Sequence, residues 1–524
     1  MSAPVPVFQE FYVQTTGSNL NAGSTTADAA LATYTSDLVS GWNQTTGVFT
    51  VAGGANPVAD GVTVGMWASV YVTAGATVAT FVGKITVVTT TAVSVALVGQ
   101  HGTPPATDIL GGTTMKVGGA WDGPSGTVYF PFNFAACLSA NWSAGQAYVV
   151  GDIANNTGVS GGVFRCILAH TNQAPPNATY WVLETAGSPR INIKNGVTYN
   201  IVATGVNGMT HAVTTPSIGA CVFSGYTATP GDGGIAIFDG GAPATAYTML
   251  TVSVARIVIE SLQFQNNGGG SPGGSAGDGI RITAGGTMVR KCIAKTMRHN
   301  GIYLGANSQA VECEAVDCNT RNTTSGGSFG GIVLSSGGAR AVRCISHDHT
   351  AGVNAHGIVV TSAGVSDGCI LANISGDGIY ITASGVVGIT SCDFYNCRNN
   401  INLAAGPANP TVASIENCNF LKASAYGIVF RANTIGTLLK CSFGRGTMVN
   451  VSGDMSVTQP CGIIEIGTKY LTDNTTPWVS PSTGDFRINS SQVVAKGRGR
   501  FLMTKSGYTG TVGYPDIGAA QKQP

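Results

Sequence analysis

Gly279-Ile280-Arg281-Ile282 opens a phrase that returns six more times before residue 431. The later copies are Gly301-Ile302-Tyr303-Leu304, Gly331-Ile332-Val333-Leu334, Gly357-Ile358-Val359-Val360, Gly378-Ile379-Tyr380-Ile381, Asn400-Ile401-Asn402-Leu403 and Gly427-Ile428-Val429-Phe430. They are spaced by 22, 30, 26, 21, 22 and 27 residues. Repeats of this length with insertions of variable size are what a solenoid leaves in a sequence. A second mark keeps step with the first: Cys292, Cys313, Cys344, Cys369, Cys392, Cys418 and Cys441 each follow a phrase by 12 to 18 residues.

Positions two and four of the phrase are apolar and position three varies, a period of two that belongs to a strand with one face buried. Gly, Asn and Ser interrupt most repeats and exclude a helical coil. Each repeat therefore reads as about three short strands, with successive turns of chain stacked in parallel about 4.8 Å apart. Stacking predicts an internal column of Ile280, Ile302, Ile332, Ile358, Ile379, Ile401 and Ile428. A second runs through Ile282, Leu304, Leu334, Val360, Ile381, Leu403 and Phe430, and an aromatic stack through Phe394, Phe420 and Phe443. The glycine before each Ile is expected to turn the backbone into the strand. Asn300, Asn319, Asn354, Asn373 and Asn399 are expected at turns, where Asn accepts positive φ. No coil buries its apolar face alone, so neighbours supply the core. The predicted fold is all-β: a single-stranded parallel β-helix, right-handed by the general preference of parallel crossovers.

Charged residues make up 10% of the 524-residue chain, against about 25% in ordinary globular proteins. Hydroxyls and amides must cover the surface. A net charge of +1 argues against nucleic acid or an anionic membrane as partner, since either favours a basic face. No apolar run approaches the roughly 18 residues of a membrane span. The first residues show no basic segment followed by an apolar run, so a secretory signal is not expected. Thirteen cysteines is an odd number, and seven occupy one repeat position. They read as free thiols used as small hydrophobes in an internal ladder. Cys313/Cys318 and Cys392/Cys397 are spaced too widely for a zinc knuckle and lack suitably spaced histidines. No metal and no cofactor are expected.

Residues 9 to 27, with Thr16-Gly17-Ser18-Asn19 and Asn21-Ala22-Gly23-Ser24, resemble the opening of pectate-lyase-like β-helix proteins. That resemblance makes residues 1–34 the first strand and cap. Alternating runs such as Val48-Phe49-Thr50-Val51 and Ala68-Ser69-Val70-Tyr71-Val72 mark residues 35–120 as an inserted antiparallel β domain. Its closing run, Lys116 to Trp121, is similar to segments in phage-encoded and bacterial β-helix proteins. After a connector at 121–141, residues 142–186 resemble small chitin- and cellulose-binding modules of the family 5/12 type. The carriers are Trp142, Tyr148, Gly151-Asp152, Phe164-Arg165-Cys166, His170, Pro175-Pro176 and Tyr180-Trp181. The resemblance implies glycan contact through Trp142, Tyr148 and Trp181, since flat aromatic faces stack on sugar rings. The competing reading is that these rings only build the module's core. The solenoid proper is expected over 187–470, and residues 471–524, with Gly513 to Ala520 similar to the ends of pectate-lyase-like chains, are expected to cover its open end.

β-helices of this kind often carry polysaccharide lyases and hydrolases, which need paired carboxylates or a base beside a cationic site. His347-Asp348-His349 and His356 bring three histidines within ten residues. Asp317, Asp348, Asp367, Asp377 and Asp393 fall at turn positions, and Asp348, His356 and Asp377 are the catalytic candidates. The competing reading is that such groups bond backbone or face water. The motif set of polygalacturonases is absent. Resemblance to phage β-helix proteins along most of the chain implies a virion-surface structural protein: a bacteriophage tailspike, fibre or head decoration. It would be a homotrimer contacting other capsid or tail proteins and glycans. The alternatives are a polysaccharide-degrading hydrolase or lyase, and an adhesin.

Overall fold

The computed structural model describes residues 7–14, 27–102, 111–119, 142–183, 188–201, 208–211, 221–267, 277–320, 329–404 and 411–443, apart from short loop segments within them. It also describes the short strands 449–451, 462–466, 469–470, 478–480 and 485–488. The connector, most of the C-terminal cover and the Gly-rich segment 268–276 lie outside these residues. No helix occurs among the described residues. The chain divides into two units: residues 1–237 with 254–261, and residues 238–253 with 262–524.

In the first unit, strands Val7–Val13, Ser188–Lys194, Cys221–Tyr226 and Ile257–Glu260 pair in parallel. Phe11, Ile191, Phe223 and Ile259 stand in register and are fully buried. Between the first two of these strands lies a seven-stranded sheet. Its paired strands are all antiparallel, with Trp42, Phe49, Val70, Phe81 and Met115 in its core. Trp67 of this sheet meets Phe11 edge-on at 5.2 Å. A small module follows, in which Ile153–Asn156, Gly162–Cys166 and Trp181–Leu183 form an antiparallel sheet.

The second unit contains the phrases. Ile280 pairs with Ile302, Ile302 with Ile332, Ile332 with Ile358, and the series continues through Ile379, Ile401 and Ile428. All seven are fully buried. Leu304, Leu334, Val360, Ile381, Leu403 and Phe430 form the parallel second column. One coil is three strands, as in Met288–Arg290, Ile293–Met297 and Ile302–Leu304. Phe394 and Phe420 stack at 5.0 Å. The fold is a parallel β-helix, as the repeat predicts.

Two expectations about the repeat need correction. The phrase glycines are there for space and not for turning: none of them has positive φ. A Cβ on Gly301 would lie 2.6 Å from the Gly331 carbonyl oxygen and 2.9 Å from Cys318 Sγ. One on Gly357 would lie 2.5 Å from Ile374 Cδ1. These positions face inward, where neighbouring coils leave no room. Of the five asparagines expected at turns, only Asn319 and Asn373 have positive φ.

Most bends are made by other residues, in two columns. Lys291, Glu312, Arg343, Ser391, Asn417 and Lys440 are left-handed, each one residue before a ladder cysteine. Thr296, Asp317, Asp348, Asn373, Asn396 and Lys422 form the second left-handed column. A non-glycine residue costs roughly 1–2 kcal/mol in this conformation, so the bends must be stabilised from outside. The thiols supply one part. Cys313 Sγ points at the Val289 carbonyl of the coil before it, Cys344 at Ala310, Cys369 at Ala341, Cys392 at Ser366, Cys418 at Ile389 and Cys441 at Ile415, at 3.3–3.7 Å. Cys318 and Cys397 repeat the pattern at the second bend, facing Ala294 and Leu371. Each thiol is a small apolar filler and also a weak donor to a buried carbonyl. All eleven described cysteines are free and buried.

Candidate functional site

The residue just before each of the first six phrases builds a largely polar ladder along one sheet of the second unit: Asp278, Asn300, Gly330, His356, Asp377, Asn399. Asp278 and Asn300 lead into strands and His356, Asp377 and Asn399 lie inside them, and the backbone N–H groups that the sheet leaves over here need acceptors. Side chains of the preceding coil provide them. Asp278 Oδ1 accepts from the Asn300 N–H (3.2 Å) and from Asn300 Nδ2 (2.8 Å). Asn300 Oδ1 accepts from the Gly330 N–H at 3.0 Å, and His356 Nδ1 from the Asp377 N–H at 3.0 Å. The Asp377 carboxylate then accepts from Asn399 Nδ2 (2.6 Å) and Asn402 Nδ2 (2.8 Å).

Two of the three catalytic candidates stand in this ladder. His356 is 4% exposed and Asp377 2%. Because His356 Nδ1 accepts a backbone hydrogen bond, its proton sits on Nε2. Burial pushes its pKa down to about 3, and Arg398 adds to the effect. The ring lies flat on Tyr380, 4.2 Å between centroids. A buried neutral imidazole with its basic nitrogen already occupied is poorly placed to take a substrate's proton. Asp278 at the ladder's start has its pKa raised by burial, against the opposing pull of Arg281 and Asn300. Arg281 pairs with it at 2.8 Å and lies 4.4 Å from the centre of the Tyr303 ring. His299 stacks on Phe329 at 4.5 Å. Tyr303, Phe329 and Tyr380 are partly exposed.

Asp348 belongs to the second left-handed column, not to this ladder. It bonds His347 Nδ1 at 2.7 Å and accepts from Asn373 Nδ2 at 2.9 Å. His347 Nε2 meets Glu314 Oε1 at 3.0 Å. The side chains of Asp348 and Glu314 are 46% and 39% exposed, so this cluster is open to solvent. Burial lowers the His347 pKa, but the hydrogen bonds to Glu314 and Asp348 outweigh it and raise the net value. Asp317, one coil before Asp348, is raised by burial and further by the Asp348 charge. His349 points inward: its Nδ1 accepts from the Cys318 N–H at 2.9 Å, leaving Nε2–H for Ser346 Oγ at 2.7 Å. Burial lowers its pKa to about 3.

In the small module of the first unit, Tyr148 and Trp181 meet edge-to-face at 4.9 Å and are 4% and 2% exposed. Trp181 Nε1 donates to the Gln173 carbonyl at 2.7 Å. These two rings form the module core with Phe164 and Cys166, and Trp142 and Tyr180 pack at its margin, partly exposed. Ile167 (45% exposed) and Val182 (46%) flank Tyr180. In the sequence Tyr180 is only one part of the motif. Its edge position follows from the strand pairing, which the sequence does not state.

No protein-family model and no curated protein matches the sequence. Among solved structures, the chain is similar to pectate lyase Pel9A: 13% identity, 64% of this chain and 88% of that one, TM-score 0.38. It is similar to a rhamnogalacturonan lyase at 14% identity, covering 56% and 83%, TM-score 0.34. It is also similar to the tailspike protein gp49 from Pseudomonas phage LKA1, at 12% identity, 90% and 67%, TM-score 0.26.

Proposed function

We propose that this chain is a structural protein of a bacteriophage surface, a tailspike, fibre or head decoration, that binds glycans without cleaving them. One observation carries the binding half. On the phrase face, the acidic and imidazole groups are used up as acceptors between coils, while the partly exposed rings of Tyr303, Phe329 and Tyr380 lie beside them. Rings next to amides and hydroxyls suit the apolar faces and hydroxyls of sugars. In the module, the reachable rings are Trp142 and Tyr180, so the glycan contact belongs to them and not to the buried Tyr148 and Trp181. The virion half rests on the resemblances in the sequence and on a surface of low charge. A homotrimer among capsid or tail proteins is part of the same proposal.

The test is a glycan panel read for both binding and reducing-end release. The expected result is binding without release, weakened by Tyr303→Ala with Tyr380→Ala or by Trp142→Ala with Tyr180→Ala. Absence of binding across bacterial surface glycans would defeat the glycan half. Electron microscopy of particles, with light scattering for the trimer, tests the virion half.

A second reading, polysaccharide cleavage, rests on the cluster of Asp317, Asp348, Glu314 and His347. Carboxylates on adjacent coils stand near the roughly 5 Å separation of retaining glycosidases, and the two aspartates have different environments. Release of sugar that Asp348→Asn abolishes while binding persists would favour this reading.

A further inference from the structure

Asn-Gly occurs four times in the chain, at 195–196, 207–208, 267–268 and 300–301. Two of these pairs lie wholly among the described residues, and the fold treats them in opposite ways. At Asn300-Gly301 the asparagine is 6% exposed. Its Nδ2 donates to Asp278, its Oδ1 accepts from the Gly330 N–H, and the Gly301 N–H donates to the Gly330 carbonyl. The side chain has no freedom to approach its own backbone. At Asn195-Gly196, the chain has just left strand Ser188–Lys194. Gly196 is exposed, with φ +124 and nothing within 4 Å of where a Cβ would stand. The Gly196 N–H donates to Asn195 Oδ1 at 2.6 Å, so the side-chain carboxamide is folded back beside the peptide nitrogen that would attack its Cγ.

We propose that Asn195 is a modification site: the native fold holds it ready for spontaneous deamidation. In the first step the Gly196 nitrogen loses its proton to solvent base and forms a bond to Asn195 Cγ. The Cγ–Nδ2 bond breaks and ammonia leaves, closing a succinimide ring. In the second, one water adds to either ring carbonyl and opens the ring. The product is aspartate or, with the chain running through the side chain, isoaspartate. The balance is one water taken up and one ammonia lost. Ordinary folds slow this reaction by keeping the two atoms apart. Here the fold prepays the approach, the proximity effect that makes intramolecular steps fast, and glycine leaves the path open.

The change falls at a structural seam. The Asn195 N–H donates to the Tyr226 carbonyl at 2.6 Å, and the Tyr199 hydroxyl to the Lys194 carbonyl at 3.0 Å. Isoaspartate lengthens by one methylene the stretch from Lys194 to Tyr199 that the second bond closes, and adds a negative charge next to Lys194.

The test ages the full chain at mildly alkaline pH, folded and in urea, and maps isoaspartate peptide by peptide. Asn195 should convert in the folded protein at least as fast as in urea. Asn300 should convert in urea but at least roughly tenfold more slowly when folded, because its reacting atoms are held apart. Asn195→Gln should remove the native signal from that peptide. Slower conversion of Asn195 in the folded chain than in urea would overturn the proposal.

Discussion

Gly301→Ala separates the space explanation of the phrase glycines from the turn explanation by the sign of its effect. Gly301 lacks positive φ, so alanine meets no backbone strain there. For a glycine whose backbone alanine can adopt, the substitution should stabilise by about 0.4–1 kcal/mol through the unfolded chain. The new Cβ, however, lies 2.6 Å from the Gly331 oxygen, 2.9 Å from Cys318 Sγ and 3.1 Å from Ala294 Cβ. Overpacking of this kind costs about 1–3 kcal/mol, so the midpoints of the two ranges leave a net loss of about 1.3 kcal/mol. The partner identifies the cause. Cys318→Ala removes one of the obstructing atoms, so the double variant should lose less than the sum of the singles, a coupling of about 0.5 kcal/mol or more. Urea unfolding followed by tyrosine fluorescence reads all four corners of the cycle. A neutral or stabilising Gly301→Ala, or strict additivity with Cys318→Ala, would refute the inward-facing assignment.

The remaining expectations are briefer. Burial holds His349 and His356 near pKa 3, whereas unfolded imidazoles titrate near 6.5. Between those values the unfolded chain binds more protons. Stability should therefore fall as pH drops through that window, by about 1.4 kcal/mol per pH unit for each histidine. Acid titration of His349→Gln and His356→Gln should show a flatter slope. Asn400 is fully buried with neither amide atom hydrogen-bonded, so Asn400→Gly should raise the melting temperature, the relief of about 1–3 kcal/mol outweighing glycine's entropy cost. Cys344→Ser keeps a donor for the Ala310 carbonyl and should destabilise less than Cys344→Ala in urea. Iodoacetamide should leave the ladder cysteines unlabelled until the chain unfolds. Trp181→Ala should unfold the small module by near-ultraviolet circular dichroism, at about 3–5 kcal/mol, while Trp142→Ala should not.

The fold was legible because its core repeats chemically. Ile pairs with Ile through seven coils, and no globular packing would require that recurrence in step with a cysteine. The first column of bends was not legible, whereas Asp317, Asp348 and Asn373 of the second were expected at turns. Lys291, Glu312, Arg343, Ser391 and Asn417 share a backbone conformation and no side-chain chemistry, so their column is invisible to a reading that looks for like residues. What selects them is geometric: each stands before an inward thiol, and from Cys313 onward that thiol meets a carbonyl of the coil behind. The asparagines misled for the complementary reason. Asn300 and Asn399 have turn-forming chemistry, but it is spent on Asp278, Gly330 and Asp377 in neighbouring coils.

The same distinction governs the candidate site. His356 and Asp377 stand out in the sequence as polar groups at expected turns and in a histidine cluster, and polar groups on adjacent coils of a β-helix invite a catalytic reading. Adjacency in a stacked coil also supplies a scaffold use, because each turn presents N–H groups that the sheet leaves over. The two uses compete for the same atoms. A carboxylate accepting two amide hydrogen bonds at 2% exposure, and an imidazole whose basic nitrogen holds a backbone N–H, have been assigned to the scaffold. Asp348 and Glu314 keep solvent-facing oxygen while His347 bridges them. If this chain carries chemistry among its described residues, it is at that bridge, and Asp377→Asn should then cost stability and leave the chemistry intact.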